Sequence, residues 1–290
     1  MLEWAQDRDP ARGLGLASSF ESYWIVRDAV EGAAWLERLL ARAPEADPEL
    51  RANALRALGG ASDILGENER AAPCYRESLE LFAAAGSDVE AAHIRFRIAA
   101  NMVMRGEKDA AWPLLEDALL EARELDHQIG EAQALGFLVQ RSYADGDLEQ
   151  AIALALESAR LAREAGWTWW EAGQLGAAAT IERERGGLDA AERHAIDALE
   201  LSVELGDRRS TIFAAAELAI IAAERGASSR SGLLWGALES EASSGRVGQW
   251  EQHRSDLEAL ALRADGPEFA ASRSEGSLLS IPKAAGLEPV

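Results

Sequence analysis

The sequence predicts an all-α solenoid of antiparallel helix pairs repeating every 40 residues. Three observations carry the prediction. Glycine recurs at 66, 106, 146, 186 and 226, in the phrases Leu65-Gly66-Glu67, Arg105-Gly106-Glu107, Asp145-Gly146-Asp147, Arg185-Gly186-Gly187 and Arg225-Gly226-Ala227. Other columns keep the same register. Small residues (Ala71, Ala111, Ala151, Ala191) stand five places after the glycine, and Ser78, Ala118, Ser158 and Ala198 stand twelve after it. Ala, Leu, Glu and Arg, all good helix formers, dominate the stretches between, and the chain holds only 8 Pro.

Each unit reads as a helix, a tight turn and a second helix. Glycine supplies the turn because it reaches positive φ without a Cβ clash. Seven places before it stand Gly59, Ala99, Val139, Ala179 and Ala219, small residues for close helix approach, and eight before it the mostly larger Leu58, Ile98, Leu138, Ala178 and Leu218. Gly86, Asp126, Gly166 and Gly206, twenty places after, mark the loop to the next unit. One pair cannot bury both of its faces, so stacked pairs share a continuous core.

In chain order, residues 1–48 are expected to form a degenerate first unit, with Arg27-Asp28 at the turn and Trp35 to Leu40 in its second helix. The repeats then run over about 49–246, inside a solenoid spanning 1–265. Trp250 to Leu262 reads as another helix, and a shorter one follows Gly266-Pro267 to about Ser274. The closing segment 266–290 is expected to be partly irregular, its last stretch with Pro282 and Pro289 loosely ordered.

Composition narrows the functional classes. With 50 acidic and 29 basic residues the net charge is −21, which repels phosphate backbones; no direct nucleic-acid binding is expected. The most apolar stretch, Ile212 to Ala223, is interrupted by Glu217 and too short to span a bilayer, so no membrane role is expected. The N-terminus lacks a basic region followed by an apolar block, and the single cysteine, Cys74, permits no internal disulfide; both fit a cytoplasmic protein.

The columns resemble the tetratricopeptide repeat, with helices longer than that family's usual ones. A narrower resemblance covers both ends. Leu2-Glu3-Trp4-Ala5, Tyr23-Trp24, Glu31-Gly32 and Trp35-Leu36-Glu37-Arg38-Leu39-Leu40 are similar to the segment that opens the repeat region of MalT-like and related LuxR-type or cyclase-linked STAND ATPase regulators. Leu233-Leu234-Trp235-Gly236-Ala237-Leu238-Glu239, Pro267-Glu268-Phe269 and Glu275-Gly276-Ser277-Leu278-Leu279-Ser280 are similar to its closing segment. The resemblance implies a right-handed superhelix acting as a sensor arm in bacterial signalling and transcription regulation. Such an arm binds a peptide, a partner protein or a small inducer. The sequence has no G-x-x-x-x-G-K-[ST] loop, so neither ATPase activity nor a nucleotide cofactor is implied for this chain.

In tetratricopeptide arrays the first helix of each pair lines the concave face. Positions thirteen and three before the turn glycine then point inward, giving Asn53, His93, Gln133, Gly173 and Phe213, and Asp63, Val103, Tyr143, Arg183 and Ala223. Arg56, Phe96, Arg97, Phe137 and Gln140 are their neighbours. The expected ligand- or partner-binding groove therefore comprises Asn53, Arg56, His93, Phe96, Arg97, Gln133, Phe137, Gln140, Tyr143 and Arg183. Arg can fork onto a carboxylate, and Phe and Tyr supply apolar area. The alternative is that Phe96 and Phe137 pack between repeats and the rest is a solvated face. Trp167, Trp169 and Trp170 similarly read either as a recognition patch or as the cap of a helix junction. Trp4, Trp24 and Trp35 are expected to close one end, and Trp235 and Trp250 the other.

The sequence predicts no enzyme, no metal and no cofactor. The four histidines, His93, His127, His194 and His253, lack metal-ligand spacing, and no Gly-x-Ser-x-Gly elbow is present. The leading reading is a ligand-sensing or protein-interaction module. The alternative is a docking or autoinhibitory arm that acts only through an ATPase or transcription-regulator partner, and an enzyme is the remote third. Oligomeric state is left open.

Overall fold

The computed structural model describes residues 2–245, 247 and 250–287. Met1, residue 246 at the expected limit of the repeats, and residues 288–290 with Pro289 lie outside the described residues. Four helices open the chain: α1 (Leu2–Arg8), α2 (Pro10–Ser19), α3 (Glu21–Arg27) and α4 (Ala29–Arg42). Five long pairs follow: α5 (Pro48–Ile64) and α6 (Asn68–Ala85), α7 (Asp88–Met104) and α8 (Lys108–Glu124), α9 (Gln128–Ala144) and α10 (Leu148–Glu164), α11 (Thr168–Glu184) and α12 (Leu188–Leu205), α13 (Arg208–Glu224) and α14 (Ser228–Ser243). Three helices close it: α15 (Trp250–Ala261), α16 (Pro267–Gly276) and α17 (Ile281–Ala285). No strand occurs among the described residues.

The turns set this regularity. Gly66, Gly86, Gly106, Gly146, Gly166, Gly186, Gly206 and Gly226 all have positive φ, and Asp126, on the same 20-residue grid, sits at φ 51°. Each closes its helix in the same way. The Gly66 N–H donates to the Asp63 carbonyl (2.9 Å) and the Glu67 N–H to that of Ser62 (2.8 Å), and Gly226 and Ala227 repeat the pattern on Ala223 and Ala222. This double bond pattern satisfies carbonyls left over at a helix end and halts the helix. Turns within pairs and turns between pairs are therefore the same device, which the 40-residue register alone does not show.

The chain forms two compact units, residues 1–138 and 139–290. In the first, Leu14, Leu36, Leu39, Leu55 and Leu58 make a core with Trp24 and Trp35, and Tyr75, Phe82 and Ile94 continue it. The Trp24 indole N–H donates to the Ala17 carbonyl at 2.8 Å, meeting its polar need inside the core. Trp4 does not share this role: α1 turns Ala5 inward and leaves Trp4 58% exposed.

In the second unit α13 is buried on nearly every side, so it carries apolar residues all round rather than on one stripe. Trp235 and Trp250 are buried beside it, as expected for the closing end. Trp167 and Trp170 stack at 5.1 Å, and the Trp170 N–H donates to Ser158 Oγ at 2.9 Å, a packed helix junction. The final stretch departs from expectation. Residues 281–285 form α17, with Ile281 and Ala284 buried in the core.

The closing segment is held by a main-chain seam. A Cβ on Gly232 would strike the Phe269 carbonyl, one on Gly236 the Arg273 carbonyl, and one on Gly276 the Leu233 carbonyl. Glycine is what lets α14 and α16 approach this closely. The Arg273 guanidinium forks onto both Glu239 oxygens (2.7 and 2.6 Å) alongside. Two further glycines, Gly173 and Gly176 within α11, have no such explanation. A Cβ on either would meet nothing within 4 Å, so each costs roughly 1 kcal/mol against alanine with no packing reason.

Two stability predictions follow from the backbone. Asp126→Gly should raise unfolding stability by about 0.5–1 kcal/mol, and Gly146→Ala should lower it by about 1–2 kcal/mol, because only glycine occupies the left-handed region without strain. Gly236→Ala should cost about 1–3 kcal/mol by forcing the seam apart. Urea unfolding of the three variants checks both.

Candidate functional site

Within the first unit Arg56 of α5 and Arg97 of α7 meet the N-terminal segment, and Gln133 and Phe137 of α9 meet α7. Glu21, the first residue of α3, places its carboxylate between two arginines of neighbouring pairs. Oε2 accepts from Arg56 Nε at 3.0 Å and Oε1 from Arg97 Nη2 at 3.2 Å. All three side chains are largely buried. Gly60 lies beside the pair: a Cβ there would stand at ordinary contact distance from Glu21, Ile25 and Arg97.

Arg97 is braced from its own helix. Its Nε donates to His93 Nε2 at 3.3 Å. Burial, with the charges of Arg97 and Arg56, pushes His93 well below its ordinary pKa, so it is a neutral acceptor there. His93 stacks on Phe96, and Phe96 meets Phe137 edge to face at 5.6 Å. Gln133 hydrogen-bonds His93. Phe96 and Gln133 are buried, so they hold this row from beneath and offer little to a ligand directly. Asn53 bonds back to the Glu49 carbonyl of its own helix at 2.9 Å.

Beneath the arginines lies a polar knot. Asp63 accepts from Tyr75 OH and from Asn101 Nδ2, both at 2.8 Å, and Asn101 Nδ2 also reaches the Asn68 carbonyl. Burial pushes the Asp63 carboxyl up to about 6, against the pull of these hydrogen bonds and of Arg97.

The other expected residues belong to the second unit. Gln140 is exposed. Tyr143 is 43% exposed, and its hydroxyl donates to Glu184 at 2.5 Å. Arg183, expected in the binding groove, is engaged in ion pairs. It is 7% exposed, with Nε on Glu217 at 2.6 Å and Nη1 on Glu224 at 3.1 Å. Its pairing with a buried carboxylate on the next first helix explains why it points inward at all.

Glu21 is the residue that sequence reasoning missed. It lies outside the repeat register, 35 residues from Arg56 and 76 from Arg97, so no periodic signal marks it. Among the described residues no cluster of three His, Cys, Asp or Glu could hold a metal ion, and no helix is long and apolar enough to cross a membrane.

Asp63 gives a pH prediction. Its proton is held more tightly in the folded state, so its contribution is most favourable below about pH 4 and is lost as pH rises to about 6. Asp63→Asn should therefore gain on the wild type across that window, by about 3 kcal/mol, and keep that gain above it. Thermal unfolding of both proteins at steps from pH 4 to 7 checks this.

No protein-family model matches the chain, and no curated protein matches it in sequence. Solved structures do match. NprR in complex with its cognate peptide NprX superposes with a TM-score of 0.64 at 13% identity, over 91% of this chain and 77% of that one. A Rap protein complexed with competence and sporulation factor gives 0.69 at 11% identity, over 91% and 72%. The Rap conjugation gene regulator of plasmid pLS20, in complex with the Phr* peptide, gives 0.63 at 14%, over 96% and 77%. At such identities the likeness is one of fold, and the fold of this chain is that of a tetratricopeptide-like helical solenoid.

Proposed function

We propose that this chain is a regulatory binding module whose first unit takes up a peptide or protein segment bearing a carboxylate. One observation carries the reading: Arg56 and Arg97, from adjacent helix pairs, converge on a single carboxylate. Paired guanidinium groups in a partly buried setting recognise a carboxylate more strongly and more selectively than an exposed lysine would. His93, neutral and bonded to Arg97, fixes the fork without competing for the anion. Phe137 supplies apolar area beside it. In the folded chain Glu21 fills the position a ligand carboxylate would take. The fold likeness to peptide-bound NprR and the peptide-bound pLS20 regulator supports a peptide as the ligand. The resemblance of both chain ends to MalT-like regulators supports a sensor arm of a bacterial, cytoplasmic signalling or transcription-control system.

A docking role through a protein partner is favoured by a different feature. Phe20 and Tyr23 are each about half exposed beside a cavity walled by Trp24 and Trp35. Exposed aromatics rimmed by acids such as Glu3 and Glu31 suit a basic, apolar partner surface.

Selection of a random peptide display library on the wild-type chain should enrich peptides with Asp, Glu or a free C-terminal carboxylate. Glu21→Gln should bind a selected peptide about tenfold more tightly, since the competing carboxylate is gone, and Arg56→Ala about tenfold less tightly. Selected peptides without acidic enrichment, or indifferent to both substitutions, would refute the assignment.

A further inference from the structure

The second unit contains a cavity of about 350 Å³ between α11, α13 and α15, within the size range of small-molecule sites. Its walls come from the first helices of two pairs, from Ala195 and Ala198 of α12 between them, and from α15. Gly173 and Gly176 form one side, Phe213 and Leu257 another. Phe213 is held edge-on against Trp250 (5.6 Å) and His253 (6.1 Å), so the aromatic wall is fixed by the buried end of the unit.

Two features set this cavity apart from an incidental gap. The first is the pair of helical glycines. Neither has positive φ, and neither is pressed by a neighbour, so fold and packing give no reason for them. Their effect is to leave the cavity open along one wall. The second is the distribution of charge. Glu217, at the inner end, is tied to Arg183 and to the Thr180 hydroxyl (3.1 Å). Arg208 is tied to Glu241. Arg209 lines the cavity with no ion-pair partner among the described residues, near Ser210 and His253. In a chain of net charge −21, the cavity is thus lined by an arginine with no ion pair among the described residues, beside the apolar Phe213 and Leu257.

We propose that this cavity is a binding site for a small organic carboxylate with an apolar body. Its carboxylate meets the fork of Arg209, and its hydrocarbon part lies on Phe213 and Leu257 in the space that Gly173 and Gly176 leave open. The site is separate from the Arg56–Arg97 pair and independent of the peptide reading. An alkyl or aryl acid fits these walls. An amine is repelled by Arg209, and a neutral alcohol leaves the guanidinium without an anion.

Isothermal titration of the full chain with octanoate, octanol and octylamine tests this. Octanoate should bind saturably at one site and raise the Tm, and the alcohol and the amine should bind at least tenfold more weakly. Arg209→Gln should weaken octanoate at least tenfold and leave octanol unchanged. Gly176→Leu should abolish binding while its Tm stays at or above the wild-type value, because a helix former replaces an unpacked glycine; lost binding is then not lost folding. Arg56→Ala should leave octanoate binding intact. Absence of octanoate binding, equal binding of the amine or the alcohol, or indifference to both Arg209→Gln and Gly176→Leu would each overturn the assignment.

Discussion

A left-handed residue ends helix after helix from Gly66 to Gly226, always twenty places on, and the rest of the molecule follows from that spacing. Each such residue folds two N–H groups back onto carbonyls of the helix it closes, which fixes where the helix stops and in which direction the chain leaves. Helices of nearly equal length result, so that side chains at a given offset from the turn meet their counterparts on the next pair. The columns of alanine and serine are a consequence. Ala71, Ala111, Ala151 and Ala191 are fully buried because the turn delivers each to the same crowded place. The Ser78 hydroxyl meets its own polar need by donating to the Ala52 carbonyl on the facing helix.

That spacing is why the fold was so legible from residues alone. Turn glycines, small-residue columns and helix-forming composition all report on one periodic geometry, and periodic geometry leaves a periodic trace. The site was legible only in part, for a related reason. Inward positions of α5 and α7 follow the register, so Arg56, His93 and Arg97 could be read as neighbours. Their partner could not. Glu21 comes from a short helix before the repeats, and a contact between a periodic and a non-periodic segment has no signature in spacing. The surroundings of Arg183 were hidden for the converse reason. Its position is periodic and inward, but whether an inward arginine is available depends on the carboxylates of the adjacent helix, here Glu217 and Glu224.

The two arginine sites differ in how deeply their ion pairs are buried. Arg183 and Glu217 are each 7% exposed, and a pair that deep is costly to break from either side, because the remaining charge stays buried. Arg56 and Arg97 keep 20% and 17% of their side-chain surface, and their shared carboxylate is carried on a seven-residue helix. The helix is itself anchored by Trp24 in the core, so Glu21 adds its ion pairs to a segment already held by packing. Such a contact can be exchanged for an equivalent one without dismantling the core beneath, where Asp63, Tyr75 and Asn101 remain bonded to one another.

The seam between α14 and α16 differs in kind from these charged contacts. Gly232, Gly236 and Gly276 bring main chain against main chain, and the atoms that meet carry no ionisable group. The main-chain contacts of that seam are therefore blind to ionic strength, acidity and redox state, whereas the Arg273–Glu239 fork beside them and the other arginine–carboxylate pairs respond to the first two. Sequence drift is constrained in the opposite sense. Each of the three glycines admits no Cβ unless backbone moves, while an exposed ion pair can lose a side chain with the backbone left in place.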